Sequence, residues 1–203
     1  GQRHLLAPGK PLYNMIESGN IPNLIFYGPS GTGKTTVASI IAKRTNRTLF
    51  KLNGTNASTK DIKDIVSRLD TFETPNGVLL YLDEIQYFNK RQQQSLLECV
   101  EQGTVTLIAS TTENPYFYVY NALLSRCTVF EFKPLAAADV ERGVRNAVQR
   151  LSEGEQVPVC MDEDACAYLA ESAGGDLRKA LGCLDFAVTA APVENGEKRI
   201  TLD

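Results

Sequence analysis

One stretch, Gly28-Pro29-Ser30-Gly31-Thr32-Gly33-Lys34-Thr35-Thr36, constrains this chain more than any other. It follows the apolar run Leu24-Ile25-Phe26-Tyr27 and opens a segment in which Val37, Ile40 and Ile41 fall on one side of a helix. Strand, glycine-rich turn, helix is the context in which a Walker A loop is expected. Glycines let the backbone turn tightly enough to aim several N–H groups at one phosphate. A helix starting near Lys34 adds its own unpaired N–H groups and the positive end of its dipole. On this reading residues 28–36 cradle a nucleotide, Lys34 neutralises the β- and γ-phosphates of ATP, and the Thr35 hydroxyl sits on Mg²⁺.

A second run, Val78 to Leu82, ends in Asp83-Glu84. Short runs apolar on both faces fit a central strand of a parallel sheet. A carboxylate at the end of such a strand is placed to hold Mg²⁺, which assigns that role to Asp83, with Glu84 as general base on the attacking water. Four more residues each have two readings. Asn114 ends the strand Val105–Ala109 and its polar tail; it orients the lytic water or turns the chain before Pro115. Arg126, in Ser125-Arg126-Cys127, is a surface ion-pair residue or an arginine finger for a neighbouring subunit. Arg178, in Gly174-Gly175-Asp176-Leu177-Arg178, is a solvated helix residue or reaches the nucleotide. Asn53 is a turn residue or restrains Glu84, and the turn is favoured. Lys60, Lys63, Lys90 and Arg91 stand near helix starts, either as solvated faces or as contacts to DNA phosphates.

Strands at 24–27, 48–52, 78–82, 105–109 and 127–132 alternate with helices at 34–44, 58–72 and 89–100, the pattern of a doubly wound α/β layer. After Pro134 the segments 138–151, 162–172 and 176–190 read as helical with no strand between them, which places a boundary between residues 133 and 134 and a small helical domain behind it. Residues 1–50 carry six basic and one acidic side chain, and residues 151–203 four and eleven, so the two ends present different surfaces within a net charge of −3. DNA, if bound, meets the first 150 residues. No apolar run reaches the ~18 residues of a membrane span. The five cysteines form no Cys-x-x-Cys pair, His4 is the only histidine, and reduced thiols in a cytosolic compartment are expected rather than a zinc site or disulfides. The first residue is Gly1 rather than Met and the last, Asp203, falls in mid-pattern, as expected of a portion of a longer protein.

Together GPSGTGKTT, LLYLDE, Asn114, SRC and GGDLR resemble the AAA+ ATPases. Within them, GQRHLLAPGKPL, DEIQYFNKRQQQSLLECVEQGTVTLIASTTENPYF and NALLSRC are similar to the replication-associated recombination proteins, the RarA/MgsA family related to the Werner-helicase-interacting protein. The resemblance implies an ATPase core over residues 1–133 with a parallel five-stranded sheet, and an α-helical lid domain over 134–203 lacking its last part. It implies Mg²⁺-dependent, DNA-stimulated ATP hydrolysis coupled to remodelling at stalled forks and single-stranded DNA ends. It also implies a homo-oligomer, typically a tetramer formed through a further domain, single-strand DNA-binding protein as partner, and the bacterial cytosol or nucleoid as location. By motif position Asn114 becomes sensor 1, Arg126 the trans-acting finger and Arg178 sensor 2. The chain departs from the family pattern in places: Ser30 stands where Pro is usual, Gln86-Tyr87 where His-Arg is usual, and the residues after Leu97 also differ. Alternatives are a clamp-loader subunit, a Holliday-junction branch-migration motor, a non-hydrolysing ATP-gated scaffold and a small-molecule P-loop kinase.

Overall fold

The computed structural model describes residues 1–68, 76–154, 157–194 and 196–202. Two compact units result: Gln2–Gly28 with Gly33–Phe132, and Gly1 with Pro29–Thr32 and Lys133–Asp203.

The first unit begins with one helical turn, α1 (Arg3–Leu6), and α2 (Pro11–Ser18). The turn of α1 is tied down by a hydrogen bond of 2.9 Å between His4 Nε2 and the Glu131 carbonyl. Pro11 takes the first position of α2, where its missing N–H costs nothing, and Gly19 closes the helix with φ 71°, so both ends follow from the sequence. The body then runs β1 (Leu24–Tyr27), α3 (Lys34–Arg44), β2 (Thr48–Asn53), α4 (Thr59–Val66), β3 (Val78–Asp83), a 3₁₀ turn (Ile85–Tyr87), α5 (Lys90–Glu101) and β4 (Val105–Thr111). It closes with two short helices, α6 (Pro115–Tyr118) and α7 (Asn121–Leu124), and β5 (Thr128–Glu131). Leu69 and Phe72, expected to extend the buried face of α4, lie outside the described residues.

The five strands form one parallel sheet in the order β2-β3-β4-β1-β5. Side chains alternate across a strand. Val78, Leu80 and Leu82 of β3 therefore pack with Ile62 and Ile65 of α4 and Leu96, Leu97 and Val100 of α5. Leu79 and Tyr81 face the opposite layer, with Val37, Ala38 and Ile41 of α3. Helices α4 and α5 both start with reciprocal capping boxes, Ser58/Asp61 and Asn89/Gln92. The Ser58 hydroxyl and N–H hold the Asp61 carboxyl below its ordinary pKa.

In the second unit α8 (Ala137–Gly154), β6 (Val159–Met161), α9 (Glu163–Ser172), α10 (Leu177–Ala190), β7 (Val193–Glu194) and β8 (Glu197–Ile200) follow in order. The expectation of helices alone is corrected here: the three strands form a sheet in the order β6-β8-β7. Strands of two to four residues carry too few alternations to register as a period, and the Asn195-Gly196 pair is their one sequence signal. Val140, Val144, Cys166, Leu184 and Ile200 belong to the core of this unit. Among the described residues no helix is long and apolar enough to cross a membrane.

Asp176 caps α10 by accepting the Lys179 N–H at 3.0 Å, and its other oxygen accepts the Ser30 hydroxyl at 2.7 Å. The Leu177 N–H donates to the Gly31 carbonyl at 3.2 Å. Desolvation alone pushes the Asp176 carboxyl up. The Ser30 hydroxyl, the Lys179 and Arg178 N–H groups and the Arg178 charge outweigh it and hold the pKa below the usual carboxylate range. A depressed folded-state pKa contributes stability that is present above the unfolded value and is lost as pH falls through the folded one. Asp176→Ala is therefore expected to cost about 1 kcal/mol at pH 7, read as a lower urea midpoint, with the difference from the parent shrinking below about pH 4. A pH-independent difference contradicts the cap.

Candidate active site

The sequence folds the loop after β1 through two glycines that no other residue replaces. Gly28 has φ 135°, and a Cβ there would stand 2.0 Å from the Phe132 carbonyl oxygen. Gly31 has φ 66°, and a Cβ there would overlap the Asp176 carboxylate. Within the loop Thr32 Oγ1 donates to the Pro29 carbonyl at 2.9 Å. Lys34 is 8% exposed, and its ammonium donates to the Gly28 carbonyl at 2.6 Å. Helix α3 starts at Lys34 with Gly33 as a left-handed cap, no side-chain cap and no acidic residue in its first turn. Its first N–H groups and positive dipole end thus face outward beside a buried ammonium, an arrangement suited to an anion. Gly28 to Thr36 form the expected loop and helix start.

The Thr35 hydroxyl lies 2.9 Å from the Tyr81 hydroxyl. That phenol is 2.8 Å from Ser110 Oγ and donates to Asp83 Oδ1 at 3.3 Å. Ser110 Oγ donates to the same Asp83 oxygen at 2.5 Å. Three elements build this group. Tyr81 and Asp83 are two apart on β3 and share a face, and pairing of Leu82 with Ala109 sets Ser110 of β4 alongside Asp83. The α3 start supplies Thr35. Burial, reinforced by the Asp83 charge and opposed by the Ser110 and Thr35 bonds, pushes the Tyr81 phenol up to about 12. It stays a neutral donor throughout the physiological range. Hydroxyl and carboxylate oxygens in small number suit Mg²⁺, which keeps much of its water shell when bound by protein. Tyr81 and Ser110 complete this group, and the motif reading singled out neither. Tyr81→Phe leaves Thr35 and Asp83 without their shared neighbour, and a roughly tenfold loss of kcat with a raised Mg²⁺ requirement is expected from one such hydrogen bond. Turnover measured against Mg²⁺ concentration checks it; an unchanged curve removes Tyr81 from the site.

Glu84 follows β3 in a left-handed conformation, φ 54° and ψ 52°. Its Oε2 accepts Gln86 Nε2 at 2.6 Å and lies 3.5 Å from Thr112 Oγ1. Gly54 donates its N–H to the Asp83 carbonyl at 2.7 Å, and a Cβ on Gly54 would stand 2.2 Å from the Glu84 carbonyl oxygen. Asn53 Oδ1 accepts the Thr55 N–H and hydroxyl at 2.9 and 2.8 Å, an Asx turn.

The remaining candidates belong to separate elements. Asn114 Oδ1 accepts the Tyr116 N–H at 3.0 Å and caps α6, as its turn reading has it; Thr112 is the β4-end residue that comes to Glu84. Arg126 is 42% exposed, pairs with Glu101 at 2.5 Å and donates to the Ala122 carbonyl at 2.8 Å. Arg178 is exposed in the first turn of α10. Lys60 and Lys63 are exposed on α4, and Lys90 and Arg91 on the first turn of α5, with Lys90 Nζ 5.4 Å from the Tyr120 ring centre.

Replication-associated recombination protein A of Haemophilus influenzae is 40% identical over 201 residues, 98% of this chain and 45% of that protein. The Escherichia coli K12 protein of the same name is 38% identical over 203 residues, 98% and 45% of the two lengths. ATPase WRNIP1 of Dictyostelium discoideum is 37% identical over 199 residues, 98% of this chain and 23% of that one. The chain thus spans under half the length of these curated relatives. Among solved structures, the Thermotoga maritima RuvB Holliday junction branch migration motor superposes with a TM-score of 0.79 over 99% of this chain and 66% of that one. At 21% identity this is a likeness of fold. The family model of the ATPase family associated with various cellular activities (AAA) matches residues 24–135, more than half of the chain. The chain belongs to the AAA family of ATPases.

Proposed function

We propose that this chain is the MgATP-hydrolysing core of a factor that acts on DNA at replication forks and in recombination. The observation that carries the hydrolytic part is the linkage of Thr35, Tyr81, Asp83 and Ser110, with Glu84 next in the chain after Asp83. It joins the phosphate loop to a carboxylate through buried hydroxyls. Thr35 and Asp83 would hold Mg²⁺, which when bound neutralises charge developing on the phosphates. Lys34 and the α3 start bind the phosphate oxygens. Glu84 takes a proton from water as the water oxygen bonds to the γ-phosphorus and the bond to the β-phosphate oxygen breaks, leaving ADP and phosphate. Arg126 serves as finger for a neighbouring subunit, and Arg178 as the second sensor of a lid formed by residues 134–203.

Identities of 37–40% with replication-associated recombination proteins and a WRNIP1 ATPase support the DNA part of the reading. Tetramer formation, single-strand DNA-binding protein as partner, a cytosolic location and phosphate contacts by Lys60, Lys63, Lys90 and Arg91 belong to the same proposal. It is tested by the ATPase rate of the full-length protein with forked, gapped, single-stranded and duplex DNA. Stimulation by forks or single-stranded ends is expected. Equal rates with all four remove DNA as the effector, and migration of a four-way junction favours the motor alternative.

A further inference from the structure

We propose that Gln86 is a positioning residue for Glu84, holding the carboxylate in the attitude from which it takes a proton from water. The inference rests on the ATPase reading above and adds a residue to it.

Glu84 has an awkward seat. It is one of two non-glycine residues with φ above 50° among those described, and it heads a turn of only three residues. A left-handed L residue is held there by its surroundings. Here the close approach of Gly54 to the Asp83 and Glu84 carbonyls supplies the clamp. That clamp acts on the backbone only. The side chain leaves a strand end at the head of a three-residue turn, and its rotamer must be set by other contacts.

Gln86 sets it. Its Nε2 meets Glu84 Oε2 at 2.6 Å, whereas the Thr112 hydroxyl is 3.5 Å from the same oxygen. The short donor comes from two residues away in the same turn, so its position relative to Glu84 is fixed locally. With Oε2 engaged, Oε1 is the oxygen left to take up a proton. The amide orientation follows, since a flipped Gln86 would set Oε1 against a carboxylate oxygen, two acceptors facing each other. The consequence is that Gln86 Oε1 is buried with no hydrogen-bond partner among the described residues. Burying an amide half satisfied is unfavourable, and an apolar side chain would pack there at less cost. What the amide does accomplish is the bond to Glu84. Asn53 of β2, weighed as a restraint on Glu84, makes its side-chain hydrogen bonds through its amide oxygen in the turn to Thr55.

The test uses the full-length protein with Gln86→Met, which keeps length and volume without the donor, and Gln86→His, which restores an N–H. Gln86→Met is expected to lower kcat about tenfold, the factor one lost charge-assisted hydrogen bond is worth, while the Kd for ATP stays within about twofold. Gln86→His is expected to recover most of the loss. In a Glu84→Gln background, Gln86→Met should leave the residual single-turnover rate unchanged, because the group it positions is gone. An active parent whose Gln86→Met variant keeps its kcat overturns the inference. So does an equal fractional loss in the Glu84→Gln background, which marks a structural role. A parent that hydrolyses no ATP defeats the ATPase reading itself, and does so before any variant is made.

Discussion

Full-length protein carrying Glu84→Gln is expected to bind ATP as tightly as the parent and to turn it over about 10²–10⁴-fold more slowly. The substitution keeps the shape and the ability to accept Gln86 Nε2, and removes only the basicity. The Glu84 side chain hydrogen-bonds to Gln86 and Thr112, whereas the phosphate and metal halves are built from Lys34 with Gly28 and from Thr35, Tyr81, Asp83 and Ser110, so those halves should survive. The two quantities to compare are the Kd for a fluorescent ATP analogue and the steady-state release of phosphate. Equal turnover in parent and variant removes Glu84 as base; a weakened Kd shows that the carboxylate was holding the ligand instead.

Arg126→Ala is expected to cost about 10³–10⁵ in kcat, but only where the protein is assembled. Arg126 rests on Glu101, and both side chains are more than two-fifths exposed. Exposed pairs of this kind are worth about 0–1 kcal/mol, so a neighbouring subunit's phosphates would draw the guanidinium away at little cost. Mixing provides the decisive measurement. Arg126→Ala retains an intact phosphate loop, and Lys34→Ala retains an intact finger. Each alone should be inactive, and mixed oligomers should recover part of the rate at junctions where a whole loop meets a whole finger. Mixtures as inactive as their components, or full hydrolysis by a demonstrated monomer, contradict a finger acting between subunits.

Residues 28–36 and 83–84 were legible because each motif is contiguous: a run of apolar residues, then chemistry, with the strand–turn–helix order visible around it. The helix starts at Ser58, Asn89 and Asp176 were legible for the same reason, since a cap is read within four residues. Tyr81, Ser110 and Thr112 are different. Their value comes from the pairing of β3 with β4, and a strand order of β2-β3-β4-β1-β5 is not written in any local window. Tyr81 is disguised further, because an aromatic residue in an apolar run reads as core, which by burial it is. Gln86 was visible only as a departure from the family pattern; its partner had to be seen in space. Asn114 has the opposite lesson. Its position at a strand end suggested chemistry, while Asn-Pro at a helix start is a cap, and the cap is what its side-chain oxygen makes. The small sheet of the second unit escaped because strands of two to four residues have no period to find.

The placement of Tyr81 has a consequence for how this protein tolerates drift. Along β3 the aliphatic positions Val78, Leu79, Leu80 and Leu82 are constrained by volume, and volume-conserving exchanges among such residues are usually cheap. Tyr81 sits among them with its ring equally buried, so substitution by Phe satisfies the same packing. What it forfeits is a single oxygen atom, the one to which Thr35, Asp83 and Ser110 all turn. Among the buried residues of β3 that precede Asp83, selection is thus expected to act on one hydroxyl, and lineages that lose it should be found with slowed turnover and an unchanged fold.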